Sequence, residues 1–270
     1  MKTMTHAQAL KKLAADTQVQ ALDEDIARLV AWAMLGNKKD PVDPTRVLPP
    51  LLQRWNCVLQ AGDAVASALY RHKTAVALAI LLHKYGIQDQ AINARAEAGM
   101  DALNQAVALD DDFFRKTEAI KTAFLQTPPA PLKRSPAMPD HLSFYRAGDV
   151  VSLQVGAAFH VLYVHRCART NESPVIEFYE TVFDHVPTMQ ELEGARARGQ
   201  RYNDGRERIS KYSVSGMKFM PDPAAQLVLV KACVETGPDN RHLEPGVGLY
   251  TVSDIFRVQQ GLGATPWPIL

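Results

Sequence analysis

The stretch Thr127-Pro-Pro-Ala-Pro-Leu-Lys-Arg-Ser-Pro-Ala-Met-Pro-Asp140 divides the sequence into two parts of different character. Five of its fourteen residues are proline, which fixes the backbone φ angle and cannot donate a backbone hydrogen bond. Such a composition is typical of an extended, semi-rigid linker between domains. We therefore predict a helical domain over residues 1–126, a linker over residues 127–140 and a β-rich domain with short helices over residues 141–270.

Before the linker, apolar residues recur at intervals of three and four, which is typical of amphipathic helices. Ile26, Leu29 and Val30 follow the acidic triplet 23–25, and acidic side chains favour the positive end of the helix dipole. We therefore expect a helix to begin at this triplet. The acidic run 110–112 predicts a second helix start. In total, five to six helices with short connections predict an antiparallel helical bundle.

After the linker, short β-prone runs alternate with turn residues. We predict six strands, at residues 150–155, 159–167, 175–182, 211–220, 227–234 and 248–252. Ser253 and Asp254 can cap a closing helix that ends near Gly261. This spacing predicts a small, strongly bent antiparallel sheet or an SH3-like barrel. Together with the helical half, the predicted fold class is α+β.

Composition limits the classes of function. The chain has 270 residues, of which 47% are hydrophobic, so it is long enough to bury two cores. A formal net charge of +1 argues against a dedicated nucleic-acid binder, which needs a clustered cationic surplus. The three widely spaced cysteines predict free thiols in a reducing compartment. Residues 1–12 lack the apolar core of a secretory signal, and the apolar run 75–82 is too short to cross a bilayer. We therefore predict a cytoplasmic protein without a membrane partner.

The motifs of common enzymes are missing from the sequence. It contains no G-x-S-x-G, H-E-x-x-H or G-x-x-x-x-G-K-[ST] pattern. His160 and His165 are five residues apart in one predicted strand, so they should face opposite sides of the sheet and cannot share a metal ion. Cys167 lies beside Arg166, but no base or oxyanion site can be recognised next to it. We therefore predict no catalytic residue, no metal and no cofactor, and we predict that the protein is not an enzyme.

The stretch between Gly194 and Tyr212 contains six cationic side chains and two tyrosines. Upstream of it, Thr188 and Glu191 form a capping-box pattern that predicts a short helix over residues 187–198. The sequence Asn-Asp-Gly at 203–205 predicts a turn that projects its neighbours around an exposed loop. Arginine and tyrosine often carry binding energy in protein interfaces. The candidate partner-binding residues are Arg196, Arg198, Arg201, Tyr202, Asp204, Arg206 and Arg208.

Three roles for this stretch stay open on the sequence alone. Part of its charge has a structural explanation, because cations stabilise the carboxyl end of a helix. The other charges could contact an acidic partner protein, or they could bind phosphate or nucleic acid. A nucleic-acid interface would need one continuous cationic surface and binding that falls steeply as salt rises.

Three segments of the second half carry a resemblance to a known family. They are Phe144-Tyr-Arg-Ala-Gly-Asp-Val-Val151, Pro174-Val-Ile-Glu-Phe-Tyr179 and Val247-Gly-Leu-Tyr-Thr-Val-Ser-Asp254. Over residues 142–260 the chain resembles the small β domain of bacterial immunity proteins of polymorphic or secreted toxin systems. Members of that group are encoded beside a toxin and neutralise it by binding. The resemblance implies that the partner is a cognate toxin protein, and it leaves the oligomeric state open.

The alternative function is that of an enzyme of unrecognised type, or of a nucleic-acid or phosphate-binding protein that uses residues 194–212. An enzyme requires a concave site with converging polar groups. The sequence offers His160, Glu177 and Tyr179 as residues that would have to surround one pocket.

Overall fold

A computed structural model describes residues 4–35 and 42–263. The chain divides between Pro139 and Asp140 into two compact units, at the end of the predicted linker. Within the described residues the first unit is helical, and the second contains a six-stranded sheet, a two-stranded sheet and one helix. The predicted α+β class is therefore confirmed.

The helical unit is built around one helix that is buried along half of its length. Its α-helices are α1 (His6–Lys11), α2 (Asp16–Ala33), α3 (Pro44–Leu59), α4 (Ala68–Lys84), α5 (Gln90–Gln105) and α6 (Asp111–Ile120), and α6 continues as a π-helical segment (Lys121–Gln126). Nine consecutive residues of α4, Thr74 to Leu82, are buried. Helices α1, α2, α3 and α5 and the π-helical segment all pack against α4. An apolar run of this kind is typical of a helix with neighbours on every side.

Two helix starts in this unit are predicted from acidic residues. The structure confirms the one at residues 110–112 but not the one at residues 23–25. The carboxylate of Asp110 accepts a hydrogen bond from the backbone N–H of Phe113, which confirms the predicted start of α6. The triplet 23–25, in contrast, lies in the middle of α2, so the prediction that a helix begins there is wrong. The triplet is used for tertiary contacts instead. Asp23 accepts hydrogen bonds from Lys84 Nζ and the Tyr85 hydroxyl, at 2.7 and 2.9 Å.

Asp25 forms the most deeply buried ion pair of the helical unit among the described residues. Its Oδ2 lies 2.8 Å from Arg54 Nε, and the two side chains are only 7% and 4% exposed. The same oxygen accepts a hydrogen bond from Trp55 Nε1 at 2.9 Å. Since Arg54 and Trp55 both belong to α3, this carboxylate connects α2 to α3 inside the core.

The second unit is organised around a mixed sheet. Its strands are β1 (Val150–Val155), β2 (Ala158–Arg169), β3 (Glu172–Phe183), β4 (Gln200–Arg201), β5 (Glu207–Arg208), β6 (Lys211–Ser215), β7 (Leu227–Lys231) and β8 (Thr251–Asp254). The large sheet has the order β7-β1-β2-β3-β6-β8, and β4 and β5 form a separate pair. The predicted purely antiparallel sheet is wrong in one pairing, because β8 lies parallel to β6. The long connection over residues 216–250 allows this, since parallel strands require a crossover rather than a tight turn.

One face of the sheet carries a defined apolar cluster. Val150, Val161, Tyr163, Tyr179 and Leu192 pack together there. The large sheet is open rather than closed into a barrel, with β7 and β8 at its two ends.

The closing helix α7 (Ile255–Gly263) follows β8 directly. The Asp254 carboxylate accepts hydrogen bonds from the backbone N–H groups of Phe256 and Arg257, at 2.9 and 3.0 Å, which supports the predicted cap. The helix extends two residues beyond the predicted stop at Gly261, which is buried within it, and ends at Gly263.

Candidate functional site

The helix predicted over residues 187–198 is not present. Residues 189–194 form turns, and the backbone from Arg196 to Arg198 is extended along β3. The N–H of Glu180 donates to the carbonyl of Arg196, and the N–H of Arg198 donates to the carbonyl of Phe178. The predicted local contact is still made in part, since the backbone N–H of Thr188 donates to the Glu191 carboxylate at 2.8 Å. Pairing with the sheet therefore overrides a weak local helix signal.

The loop predicted around residues 203–205 is a hairpin between β4 and β5. The N–H of Tyr202 donates to the carbonyl of Arg206 at 3.0 Å, and the N–H of Arg206 donates to Asp204 Oδ1 at 3.0 Å. Gly205 has a φ of +80°, a conformation that a residue without a side chain adopts readily. The predicted turn is confirmed, and it projects Arg201, Arg206 and Arg208 from a short ordered ribbon.

A segment that the sequence did not single out, residues 239–244, holds this Arg-rich stretch in place. At one end, the N–H of Ala197 donates to the carbonyl of Asp239 at 2.8 Å, and the N–H of Asp239 donates to that of Ala195 at 3.2 Å. At the other end, the N–H of Glu244 donates to the carbonyl of Glu207, and Ile209 returns a bond to Glu244. Both ends of the stretch are thus tied to one backbone segment.

Several of the predicted partner-binding residues are already engaged within the protein. Arg206 Nη1 lies 3.1 Å from Glu244 Oε2, and Arg208 Nη1 lies 3.8 Å from the same oxygen. Arg208 also bonds to the Asp204 carboxylate and lies 5.4 Å from the centre of the Tyr202 ring. The backbone N–H of Arg206, followed by the Arg208 side chain, lowers the pKa of Asp204. These residues form a charge-balanced cluster rather than a free cationic patch.

Arg196 and Arg201 differ from that cluster. Both side chains are exposed, and neither guanidinium has an ion-pair partner among residues 4–35 and 42–263. Arg198 is half-buried, and its charge contributes to the low pKa of His160. The seven predicted residues therefore separate into an engaged cluster, one half-buried arginine and two exposed cations.

Beneath this surface lies a buried polar cluster that the sequence reasoning missed. Glu177 is fully buried, and its Oε2 lies 2.7 Å from His165 Nε2. Its Oε1 accepts a hydrogen bond from Asn240 Nδ2 at 3.3 Å, and Lys211 Nζ lies 3.9 Å from Oε2. Asn240 belongs to segment 239–244, so the carboxylate connects that segment to the sheet. The available signal was a single acidic residue inside the apolar run 175–179.

The residues proposed for a catalytic pocket do not share one. Strand register pairs Leu153 with His160 and Val150 with Tyr163, which places His160 and Tyr163 on opposite faces. Glu177 lies opposite Tyr163, and side chains two residues apart in a strand share a face, so Glu177 and Tyr179 are on the Tyr163 side. His160 is therefore separated from both by the sheet.

His160 gives the β unit a predicted dependence on pH. Burial, with a further contribution from Arg198, lowers the pKa of His160 from 6.5 to about 4. Between these two values the unfolded chain binds more protons than the folded one, so stability falls as pH decreases through this window. Between about pH 7 and about pH 5, the free energy of unfolding should therefore decrease less in His160→Leu than in the unmodified protein. Circular dichroism during urea unfolding measures this difference.

His185 provides a control of opposite sign. Its hydrogen bonds to Asp184 and then to Glu191 raise its pKa, so its contribution is present at low pH and is lost as pH rises through the raised value. His185→Leu should therefore not reduce the acid sensitivity. An unchanged pH profile in His160→Leu would contradict the role assigned to His160.

The ranges 4–35 and 42–263 contain two cavities but no metal site and no membrane-spanning helix. Within those ranges no three His, Cys, Asp or Glu side chains form a group that could hold a metal ion. The helices in those ranges are too short or too polar to cross a bilayer. One cavity of about 440 Å³ lies between α1, α2 and α4, and one of about 250 Å³ lies beside β6 and β8.

In comparisons with known proteins, no family model matches the chain, and neither a curated protein nor a solved structure matches it. The likeness to immunity proteins therefore rests on the three quoted segments alone.

Proposed function

We propose that this protein is a non-enzymatic binding protein that neutralises a cognate bacterial toxin by forming a direct complex with it. The observation that carries the proposal is the pair of exposed cations, Arg196 and Arg201, on a backbone that segment 239–244 holds in place. A preorganised surface loses little conformational freedom when it binds. Unpaired cations favour an acidic partner surface and accelerate its association.

The engaged cluster has a supporting role in this proposal. Arg206 and Arg208 are balanced by Glu244 and Asp204, so they fix the shape of the hairpin more than they add charge. This balance also argues against the nucleic-acid alternative, which needs a continuous cationic surface. The separation of His160 from Glu177 and Tyr179 argues against the enzyme alternative built on those residues.

The first test is co-expression with the product of the neighbouring gene. We expect the two proteins to co-purify, and we expect cells that produce the toxin to survive. Failure of both co-purification and rescue would reject the proposal. Retention of the protein on nucleic acid, with a steep salt dependence, would favour the nucleic-acid alternative instead.

The double variant Arg196→Ala/Arg201→Ala tests the two exposed cations. We expect it to weaken toxin binding by about tenfold to a hundredfold, because each substitution removes a charged contact at the interface. Calorimetry on the purified pair provides the affinity, and a thermal melt shows that the variant is folded.

The matched control is Arg115→Ala/Arg134→Ala, which removes two exposed arginines from the helical unit and the linker. It should leave the affinity unchanged. Equal losses in the two double variants would show that net charge, and not the surface around the hairpin, controls binding.

A further inference from the structure

A second surface of the β unit, at the far end from β7, has the features of a peptide-binding site. Strand β8 is the last strand of the large sheet, and in the described ranges no strand pairs with its outer side. Unpaired backbone groups on an edge strand can hydrogen-bond to another extended chain. Proteins usually protect such edges with lysine or proline, and β8 contains neither.

Large apolar side chains are exposed along this edge and just before it. Val247, Leu249 and Val252 are 73%, 80% and 74% exposed, which places them among the most exposed large apolar side chains of the residues that the structure describes. Exposed apolar side chains that lie close together in the sequence are a feature of interaction sites.

A groove of about 250 Å³ lies directly beside the edge. Val252 lines it from β8 and pairs with Ser213 of β6, which also lines it. Ser173, Ser215 and Ser253 are part of the same lining. An open strand edge next to a groove matches strand addition, in which backbone hydrogen bonds give affinity and the groove selects side chains.

The charges around the groove select the chemistry of the bound segment. Arg169 and His141 line the groove, and Arg166 lies 5.5 Å from the centre of the Tyr250 ring at the same wall. Glu172 is the one carboxylate in the lining. The side chain of Arg169 is exposed and has no ion-pair partner in the part of the chain that the structure describes. Two arginines against one glutamate leave an excess of positive charge, which favours a carboxylate.

We propose that the outer edge of β8 and the adjacent groove bind an extended segment of a partner protein, with a carboxylate of that segment directed towards Arg169. The backbone of the segment pairs with β8, its apolar side chains cover Val252 and Leu249, and its carboxylate enters the groove. This site is separate from the Arg-rich hairpin, so it does not depend on the toxin proposal.

The test uses two short fluorescein-labelled peptides of alternating threonine and valine, one with a central glutamate and one with a central lysine in its place. Fluorescence anisotropy with the full-length chain should show at least about tenfold tighter binding of the glutamate peptide. Arg169→Glu should reverse this preference, because the substituted side chain attracts lysine and repels glutamate. Val252→Lys should weaken the binding of both peptides, since a lysine on an edge strand disfavours strand addition.

The other edge of the sheet supplies the matched control. Val228→Lys places the same charge on β7, where Val228 is 38% exposed, and it should leave peptide binding unchanged. Equal affinity for both peptides, a preference that Arg169→Glu leaves unchanged, or no effect of Val252→Lys would overturn the proposal. A dimer in sedimentation that Val252→Lys abolishes would also overturn it, because the edge would then pair with a second copy of the chain. Thermal melts establish that each variant is folded.

Discussion

Replacing Asp25 by alanine is expected to lower the free energy of unfolding of the helical unit by about 3–5 kcal/mol. The carboxylate is the acceptor for both Arg54 Nε and Trp55 Nε1 within the core. Without it, the Arg54 guanidinium remains charged in a site where its side chain is only 4% exposed. Removal of one partner of a buried ion pair is costly because the other charge then lacks compensation.

Trp55 provides a fluorescence signal from the site of the substitution itself. It donates its indole N–H to Asp25, and Trp32 lies in the adjacent helix α2, so tryptophan fluorescence during urea unfolding reports on this core. The control is Asp63→Ala, which removes a carboxylate that is 82% exposed from an ion pair with Arg71. Exposed pairs contribute at most about 1 kcal/mol, so this variant should unfold close to the unmodified protein.

A second substitution separates the cost of losing the Asp25–Arg54 ion pair from the cost of lost packing. In Asp25→Ala/Arg54→Met both charges are absent, and the methionine retains an apolar stem of similar length. We expect this double variant to recover part of the stability lost in Asp25→Ala, since hydrophobic replacement of a buried pair is often neutral. If Asp25→Ala and Asp63→Ala have equal small effects, the ion pair does not stabilise the core.

Asp25 also shows where sequence reasoning ends in this protein. A cluster of acidic residues before an apolar stripe predicts a helix start, and that rule considers only the nearest turn. Asp25 instead pairs with Arg54, 29 residues later in the chain, on another helix. The start of α6 could be predicted because Asp110 and Phe113 are three residues apart and depend on no tertiary contact.

The β unit shows the same division. The predicted strand over residues 150–155 coincides with β1, because alternation and flanking turn residues are local signals. The helix predicted over residues 187–198 was wrong, because the backbone at Arg196 and Arg198 pairs with β3. The parallel placement of β8 beside β6 also depends on the path of the chain between them. No pattern within a short window encodes either pairing.

The sequence indicated which residues belong to the candidate surface, but it could not indicate which of them form ion pairs within the protein. The sequence predicted a turn that brings Arg201, Arg206 and Arg208 together, and the hairpin between β4 and β5 does so. It could not show that Glu244, 38 residues after Arg206, balances two of them and leaves Arg196 and Arg201 exposed. Local turn chemistry at Asp204 and Gly205 was predictable, whereas the support from segment 239–244 was not.

Replacing Glu177 by alanine is expected to have the second largest effect, a loss of about 3 kcal/mol in the free energy of unfolding of the β unit. Glu177 is fully buried and is the acceptor for Asn240, and it lies at hydrogen-bond distance from His165. The variant leaves the Asn240 amide without this acceptor and the Lys211 ammonium without its nearby carboxylate. A buried polar group that loses its partner is destabilising.

The loss of local stability should be largest in segment 239–244, which supports the Arg-rich stretch. Asn240 lies in segment 239–244, which accepts hydrogen bonds from the backbone of Ala197 and Ile209. We therefore expect these two amide groups to exchange their hydrogens faster in Glu177→Ala. If the proposed toxin is the partner, its affinity should decrease in this variant although Glu177 itself is buried. Glu177→Gln should retain part of the stability, since its side-chain carbonyl can still accept from Asn240.

Glu180→Ala is the control, because Glu180 is an exposed acidic residue three positions later on the same strand. Its backbone N–H donates to the carbonyl of Arg196, and alanine keeps that bond. The free energy of unfolding of Glu180→Ala, from circular dichroism in urea, and its amide exchange rates should both be close to those of the unmodified protein. If the two alanine variants behave alike, the carboxylate of Glu177 does not anchor segment 239–244. If only Glu177→Ala accelerates exchange at Ala197 and Ile209, this buried carboxylate positions the exposed cations, and the stability of the sheet and the shape of the binding surface depend on the same group.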